Sequence, residues 1–476
     1  MMHPQEERKA MLVKRGAKSL GKLTHETSSL ALQKGTDQTT PPKMGTVAGT
    51  GITSNKLYSY MLIIAAVFSC AFLLRSVSPL ASSSGYIVVI DAGSSGSRAH
   101  VFHASGGLVD PKHESLKTKP GLSSYATVPS DAGRSLEPLM EFARKYVPES
   151  EIKNTKIILK ATAGMRLLQK NEREAILKDV RTYLSKTGFA FSKKDAEVID
   201  GKEEGLLGWL AINYLNNEPG TWGVLEMGGA SVQVTLKVNN EDKSNVVPNE
   251  HKRPYHNPTS GKPGEVFTHS FLGLGMTSAR EAVNEVLTKS GASKDPCLQT
   301  GFVVGAESSA LSGVTTAIPE GDFDACSKLI SETLYVASTK ECSYPNGCLY
   351  DGMYAPKFGK IWAFENFFYA PSALGMDGVP GVIAAKDLAK AAKQNCAMGW
   401  KEMDAAYPKD DQPHELNENW CFGMTHLHSF LIHGLGISPE QQITISNNVG
   451  ENGIDWALGA ALQTMKSKSG GLRSQA

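Results

Sequence analysis

Two stretches built to one design constrain the fold of this chain more than anything else in it. The first is Tyr86-Ile-Val-Val-Ile-Asp-Ala-Gly-Ser-Ser-Gly-Ser-Arg-Ala-His-Val-Phe102. It opens as a β-branched, apolar run, which reads as a buried strand. It then breaks into Asp91-Ala-Gly-Ser-Ser-Gly-Ser97, a turn of small residues, and returns as a strand through His100-Val-Phe102. Glycines let backbone N–H groups converge on one concavity, and the hydroxyls of Ser94, Ser95 and Ser97 add donors, a combination suited to a phosphate. Asp91 repels a phosphate, so its natural partner is a divalent cation or a water held beside one.

The second stretch is Gly223-Val-Leu-Glu-Met-Gly-Gly-Ala-Ser-Val-Gln-Val-Thr-Leu236: strand, acid (Glu226), glycine turn (Gly228, Gly229, Ala230, Ser231), strand. One such turn is equally well a ligand-free hairpin. Two together predict two lobes facing across a cleft, each holding part of a phosphate chain.

At 476 residues the chain is long enough for two domains, and its net charge of +1 gives no bulk electrostatic reason to bind nucleic acid. Residues 1–56 are polar and basic, with nine Lys/Arg against four Asp/Glu, and read as a disordered tail. Residues 57–74 contain no charge. As a helix they would be about 27 Å long, enough for a thin bilayer. The basic flank before the segment predicts a single-pass type II signal anchor, with the N-terminus cytosolic and everything after Arg75 on the other side. A cleaved signal peptide fits less well, because the preceding segment is far too long; a buried core helix is the third reading.

Six of the seven cysteines lie after residue 290, an even number that an oxidising lumen permits. Nearest-neighbour pairing gives Cys297–Cys326, Cys342–Cys348 and Cys396–Cys421. Zinc is the rival reading, but no paired Cys-x-x-Cys occurs. No usable N-glycosylation sequon follows the span, since Asn257-Pro-Thr259 fails.

Between and beyond the two turns, several segments bear on chemistry. Lys156–Lys160 reads as a strand leading into Ala161-Thr-Ala-Gly-Met-Arg166, where Arg166 is either a phosphate ligand or a surface charge. A helix begins near Gly201 with Glu203 and Glu204 in its first turn. Acids there are often dipole complements; alternatively one faces the cleft as a general base. Residues 171–187 form a charged amphipathic helix, and residues 239–264 a polar loop or hairpin. Lys360–Pro371 is strongly aromatic, either core strand or a platform on which Phe368 or Tyr369 stacks a base. Trp420–Leu435 reads as a helix with His426, His428 and His433 at polar positions. The sequence is silent on oligomeric state.

Taken in order, these stretches resemble the apyrase family, the nucleoside triphosphate diphosphohydrolases, nearest its Golgi guanosine diphosphatase branch. Four motifs carry the resemblance: Asp91–Arg98, Lys160–Arg166, Gly201–Trp209 and Leu225–Gln233. A looser fifth match lies around Trp420, and His269–Arg280 is similar to a segment of the Golgi and secreted nucleoside diphosphatases. The resemblance implies an α/β fold of two ribonuclease-H-like lobes of actin-like type facing a central cleft, preceded by one transmembrane helix. Lobe I would comprise 85–200 and 449–466, and lobe II 201–448. By the same resemblance Glu204 would deprotonate water positioned by Ser231 and Gln233. Asp91 and Glu226 would hold Ca²⁺ or Mg²⁺ through its water shell. Ser94, Ser95, Gly96, Ser97, Gly228, Gly229 and Ala230 would bind phosphates, with Arg98 and Arg166 beside them. The family usually has Asp where this chain has Glu226. The implied activity is hydrolysis of GDP and UDP to monophosphates in the Golgi lumen; the alternatives are a broad apyrase and a secreted or cell-surface location.

Overall fold

The computed structural model describes residues 84–471, apart from 219, 239–245, 304–316, 336–341, 343, 345, 346 and 407–419. The apolar segment 57–74 lies outside the described residues. Among them, no helix is long and apolar enough to cross a membrane.

The first sheet holds β1 (Gly85–Ala92), β2 (Ser97–Ser105), β3 (Leu108–Val109), β4 (Glu114–Thr118), β5 (Lys156–Ala161) and β6 (Ala196–Val198). Its order is β3-β2-β1-β5-β6, with β4 also paired to β2. β1 runs antiparallel to β2 and parallel to β5. The second sheet holds β7 (Trp222–Met227), β8 (Ser231–Lys237), β9 (Lys252–His256), β10 (Pro263–Leu272), β11 (Lys360–Glu365), β12 (Gly381–Ala384) and β13 (Gln442–Ile445). Its order is β12-β13-β11-β7-β8-β10-β9. Within it, β10-β8-β7-β11-β13 repeats the order and strand senses of β3-β2-β1-β5-β6. The two acid-plus-glycine turns therefore occupy equivalent places, the β1–β2 and β7–β8 connections.

β1 shows why its sequence is apolar without a break from Ile87 to Ile90. Val88, Ile90 and Ala92 face a core made with α1 (Glu137–Tyr146) and α2 (Lys170–Leu184), while Ile87 and Val89 face a second core. A strand covered on both faces needs apolar side chains at every position. That second core includes Leu207 and Ala211 of α3 (Gly201–Leu215), together with Trp456, Ala457 and Leu458 of α9, the final helix, Trp456–Gly471. The opposite side of α3, through Leu206, Trp209 and Leu210, packs on Val224, Trp362 and Phe364 of the second sheet. A helix enclosed on all sides has no polar stripe. α3 is thus held by both sheets, and Asp200 caps it by accepting from the Glu203 N–H (2.7 Å).

The second sheet's other face carries α4 (Met276–Lys289), α5 (Phe323–Leu334), α6 (Asn366–Ala373), α7 (Ala385–Ala397) and α8 (Trp420–Ser429). Three disulfides join Cys297 to Cys326, Cys342 to Cys348 and Cys396 to Cys421, the nearest-neighbour pairing. Two expectations need correction. The aromatic segment is strand only to Glu365 and continues as α6, because β11 ends on a residue with φ 60° that turns the chain. His426 is not on a polar face but fully buried, stacked on Phe422, with Nε2 2.9 Å from the Leu274 carbonyl.

Burial pushes the His426 imidazole down to about 4 despite that carbonyl partner. The folded protein thus binds its proton later than the unfolded chain, so stability is complete above about pH 6.5 and is lost as pH falls towards 4. Acidification through that window is expected to cost about 3 kcal/mol at this site. Denaturant melts of wild type and His426→Gln should show a flatter pH dependence in the variant; parallel curves would remove His426 from the account.

Candidate active site

The turn between β1 and β2 (Gly93–Gly96) and that between β7 and β8 (Gly228–Ala230) line one cleft together with Asp91, Arg98, Glu204, Glu226 and Ser231. The start of α4 fixes the second turn. Met276 N–H donates to the Gly228 carbonyl (3.0 Å), and those of Thr277 and Ser278 donate to that of Gly229 (2.8 and 3.1 Å). In trans peptides the N–H groups on the opposite edge, those of Gly229 and Ala230, then face away from α4.

Four side chains from three elements meet beside this turn: Glu204 from α3, Arg166 from the turn after β5, and Ser231 and Gln233 from β8. Glu204 Oε2 accepts from Arg166 Nη2 (2.8 Å) and from Gln233 Nε2 (3.0 Å). The same two nitrogens reach Ser231 Oγ at 3.0 and 2.7 Å. Gln233 Nε2 also lies 3.2 Å from Ser270 Oγ on β10, and Arg166 Nη1 donates to the Ile199 carbonyl (3.2 Å). Burial raises the Glu204 carboxyl from its ordinary value, and Arg166 pulls it part of the way back.

Adjacent in sequence, Glu203 and Glu204 part company in space. The Glu203 side chain is 31% exposed and pairs with Lys160 (2.8 Å), which also holds Glu197 (2.9 Å); that of Glu204 is 8% exposed and lines the cleft.

Asp91 and Glu226 stand at matching strand ends. Burial raises both carboxyls well above the ordinary range; Asp455 adds to this at Asp91 and Glu204 at Glu226. Asp91 Oδ1 and Glu226 Oε2 are buried without a hydrogen-bond partner. Two buried, unsatisfied carboxyl oxygens on residues lining one cleft suit a hard divalent cation. Among the described residues, no group of three or more His, Cys, Asp or Glu is gathered as a direct ligand set. The longer arm of Glu226 lies over Gly208 of α3. A Cβ there would stand 2.9 Å from Glu226 Oε2.

Of the remaining expected residues, Ser94, Ser95 and Gly96 line the cleft, whereas Ser97 is buried at the start of β2. Arg166 and Gln233 stand behind the lining, bonded to residues within it. Phe368 and Tyr369 are half-buried on α6 outside the lining, which Phe364 joins instead. Also present, and not expected, are Lys117, Thr162, Ala163, Glu365, Asp455 and Trp456. Lys117 Nζ reaches Ser95 Oγ (3.1 Å). Burial and the neighbouring Asp455 push the Glu365 carboxyl up to about 7.

The doubled sheet motif makes this a mixed α/β protein of the actin type. The chain belongs to the GDA1/CD39 (nucleoside phosphatase) family, whose profile matches residues 78–472. It is 32% identical to a probable apyrase 5 of Arabidopsis thaliana over 87% of this chain and 88% of that one. It is 30% identical to a guanosine-diphosphatase of Schizosaccharomyces pombe, covering 81% and 74% of the two chains. A nucleoside-triphosphatase of Pisum sativum is 32% identical over 81% and 89%. Among solved structures, a nucleoside triphosphate hydrolase of Neospora caninum shares the fold, with a TM-score of 0.59 at 17% identity over 86% of this chain and 97% of that one. The protein is a nucleoside phosphatase, a hydrolase of nucleotide phosphates.

Proposed function

We propose that the cleft cleaves the terminal phosphoanhydride of nucleoside diphosphates, GDP and UDP, giving the monophosphate and inorganic phosphate. The observation that carries this reading is the meeting of Glu204, Ser231, Gln233 and Arg166 at a cleft lined by two glycine turns. Glu204 takes the proton of the attacking water, and Ser231 and Gln233 hold that water in line with the bridging oxygen. The turns, Arg98 and Arg166 neutralise charge on the phosphoryl group as the new P–O bond forms and the bridge breaks. Asp91 and Glu226 would hold Ca²⁺ or Mg²⁺ through water; when bound, the ion offsets charge on the phosphate oxygens. Phe368 and Tyr369, which follow Glu365 and lie on α6, remain our choice for contact with the base.

Preference for diphosphates draws support from the guanosine-diphosphatase relative, while the probable apyrase and the nucleoside-triphosphatase support the alternative, a broad apyrase. Comparing kcat/KM for nucleoside di- and triphosphates under Mg²⁺ and Ca²⁺, on the full chain, tests this. A clear triphosphate preference leaves the broad apyrase. Turnover without a phosphate acceptor separates hydrolysis from phosphotransfer, and no turnover with any divalent ion would leave a binding protein. We place the enzyme in the Golgi lumen on a type II anchor at 57–74, in keeping with three disulfides of an oxidising compartment.

Glu226→Asp should leave activity within about tenfold but alter the relative rates with Mg²⁺, Ca²⁺ and Mn²⁺. One methylene withdraws the carboxylate by roughly a bond length, and the ions differ in preferred distance and rigidity. An unchanged rate with an unchanged metal profile would put Glu226 outside the metal's surroundings.

A further inference from the structure

A chain of buried polar contacts runs behind the first phosphate turn and plays no part in the chemistry above. It begins on the surface loop before β4, where His113 Nδ1 lies 2.9 Å from the Pro111 carbonyl. A carbonyl only accepts, so that nitrogen carries the hydrogen. Burial, and then His100, hold the His113 imidazole below its usual range, which keeps it neutral with a bare Nε2. That nitrogen accepts from His100 Nδ1 (2.9 Å). His100, 1% exposed in the middle of β2, places Nε2 3.3 Å from Asp455 Oδ2, an ion-pair contact that holds when the ring carries a hydrogen on both nitrogens.

Asp455 sits just before α9. Its Oδ1 accepts from the Ala457 N–H (2.8 Å), fastening the carboxylate to the first turn of a helix packed against α3. Its Oδ2 meets Arg98 Nη1 at 3.3 Å, and Arg98 lines the cleft beside the glycine turn. Burial alone would raise Asp455, but His100 and Arg98 outweigh it and hold the carboxyl below the ordinary range, so it is ionised. Other groups face this cluster too. Glu365 and Asp91 also act on Arg98, and Glu365 lines the same wall of the cleft.

We infer that Asp455, anchored by His100 and by the start of α9, is a positioning residue that aims the Arg98 guanidinium at the phosphate chain of the bound nucleotide. This rests on the reading of the cleft as a phosphate site with Arg98 at its edge. An arginine on a strand end has many rotamers, and one held in advance loses less freedom when its ligand arrives. Asp455 oxygens reach two elements at once, so the register between β2 and α9 fixes where the guanidinium points.

The test is a mutant cycle on the full chain, read as KM and kcat for GDP. Asp455→Asn keeps the size of the side chain and the acceptor for Ala457 N–H, but loses the charge that orients Arg98. It should raise KM about tenfold with kcat within about threefold, the pattern of lost uniform binding. Arg98→Ala should raise KM at least as much. In the Arg98→Ala background, Asp455→Asn should then change KM by less than about twofold, because a residue that acts only through another has nothing left to act on. His100→Gln leaves the Asp455 cap of α9 in place and serves as the second variant should Asp455→Asn fold poorly. It should raise KM in the same direction, about threefold, and lose that effect without Arg98. Full additivity of either change with Arg98→Ala overturns the inference while leaving the phosphate reading intact. An Arg98→Ala enzyme with normal KM overturns both.

Discussion

Glu204→Gln is expected to lower kcat by about 10²–10⁴-fold, the usual loss when a general base is removed, while nucleotide still binds. Gln keeps the shape of the side chain and can still meet Gln233, so the cleft should survive the change. Glu203→Gln should do far less. Its carboxylate is 31% exposed and pairs with Lys160 on the side of α3 away from the cleft, so the change removes a part-buried ion pair and leaves the reacting centre untouched. Steady-state rates together with equilibrium binding of a nucleotide separate the two variants. If Glu203→Gln were the more damaging, the assignment of the base would be wrong.

The sequence carried this distinction only through the family resemblance. Two glutamates opening a helix look alike in a string of letters, and each complements the helix dipole equally well. What separates them is rotation about the axis of α3. Position 203 looks towards β5, where Lys160 waits, and position 204 towards β8 and the turn after β5. That rotation is set by Leu207 facing one sheet and Leu206 the other, and it follows only from a helix lodged between two sheets. The strands and turns were easier to read. An unbroken β-branched run ending in acid and glycine has few physical meanings, and its recurrence foreshadowed the repeated sheets. Asp455 was missed because an acid before a helix reads as an ordinary cap, which it also is. Its second oxygen finds Arg98 across a separation of 357 residues, and no local pattern reports that. Glu365 was hidden among aromatics, and its positive φ belongs to residues that seldom adopt it. His426 shows the same limit from the other side: at helical spacing a histidine looks polar, and only packing against Phe422 and Leu274 reveals it as core.

Gly275→Ala is the second change from which a large loss is expected, although residue 275 touches no substrate in the scheme above. Gly275 caps α4, and a methyl group there would stand 2.3 Å from Ser231 N, 2.4 Å from Ala230 N and 2.6 Å from Ala230 C. All three atoms are backbone of the second phosphate turn, so no side chain can swing away to make room. Either α4 retreats, breaking the bonds from Met276, Thr277 and Ser278 to the Gly228 and Gly229 carbonyls, or the turn moves into the cleft. Retreat costs about 1–3 kcal/mol, as overpacking generally does. Movement carries Ser231, and with it the water it positions, away from Glu204; a displacement of about 1 Å at a reacting centre is enough to lower kcat by about 10²-fold. Both responses feed on the same clash, so the variant should lose rate more than stability if the turn gives way, and the reverse if the helix does. Measuring kcat beside the denaturant midpoint tells which element yields. A Gly275→Ala enzyme with normal rate and normal midpoint would show that α4 does not hold the turn in place.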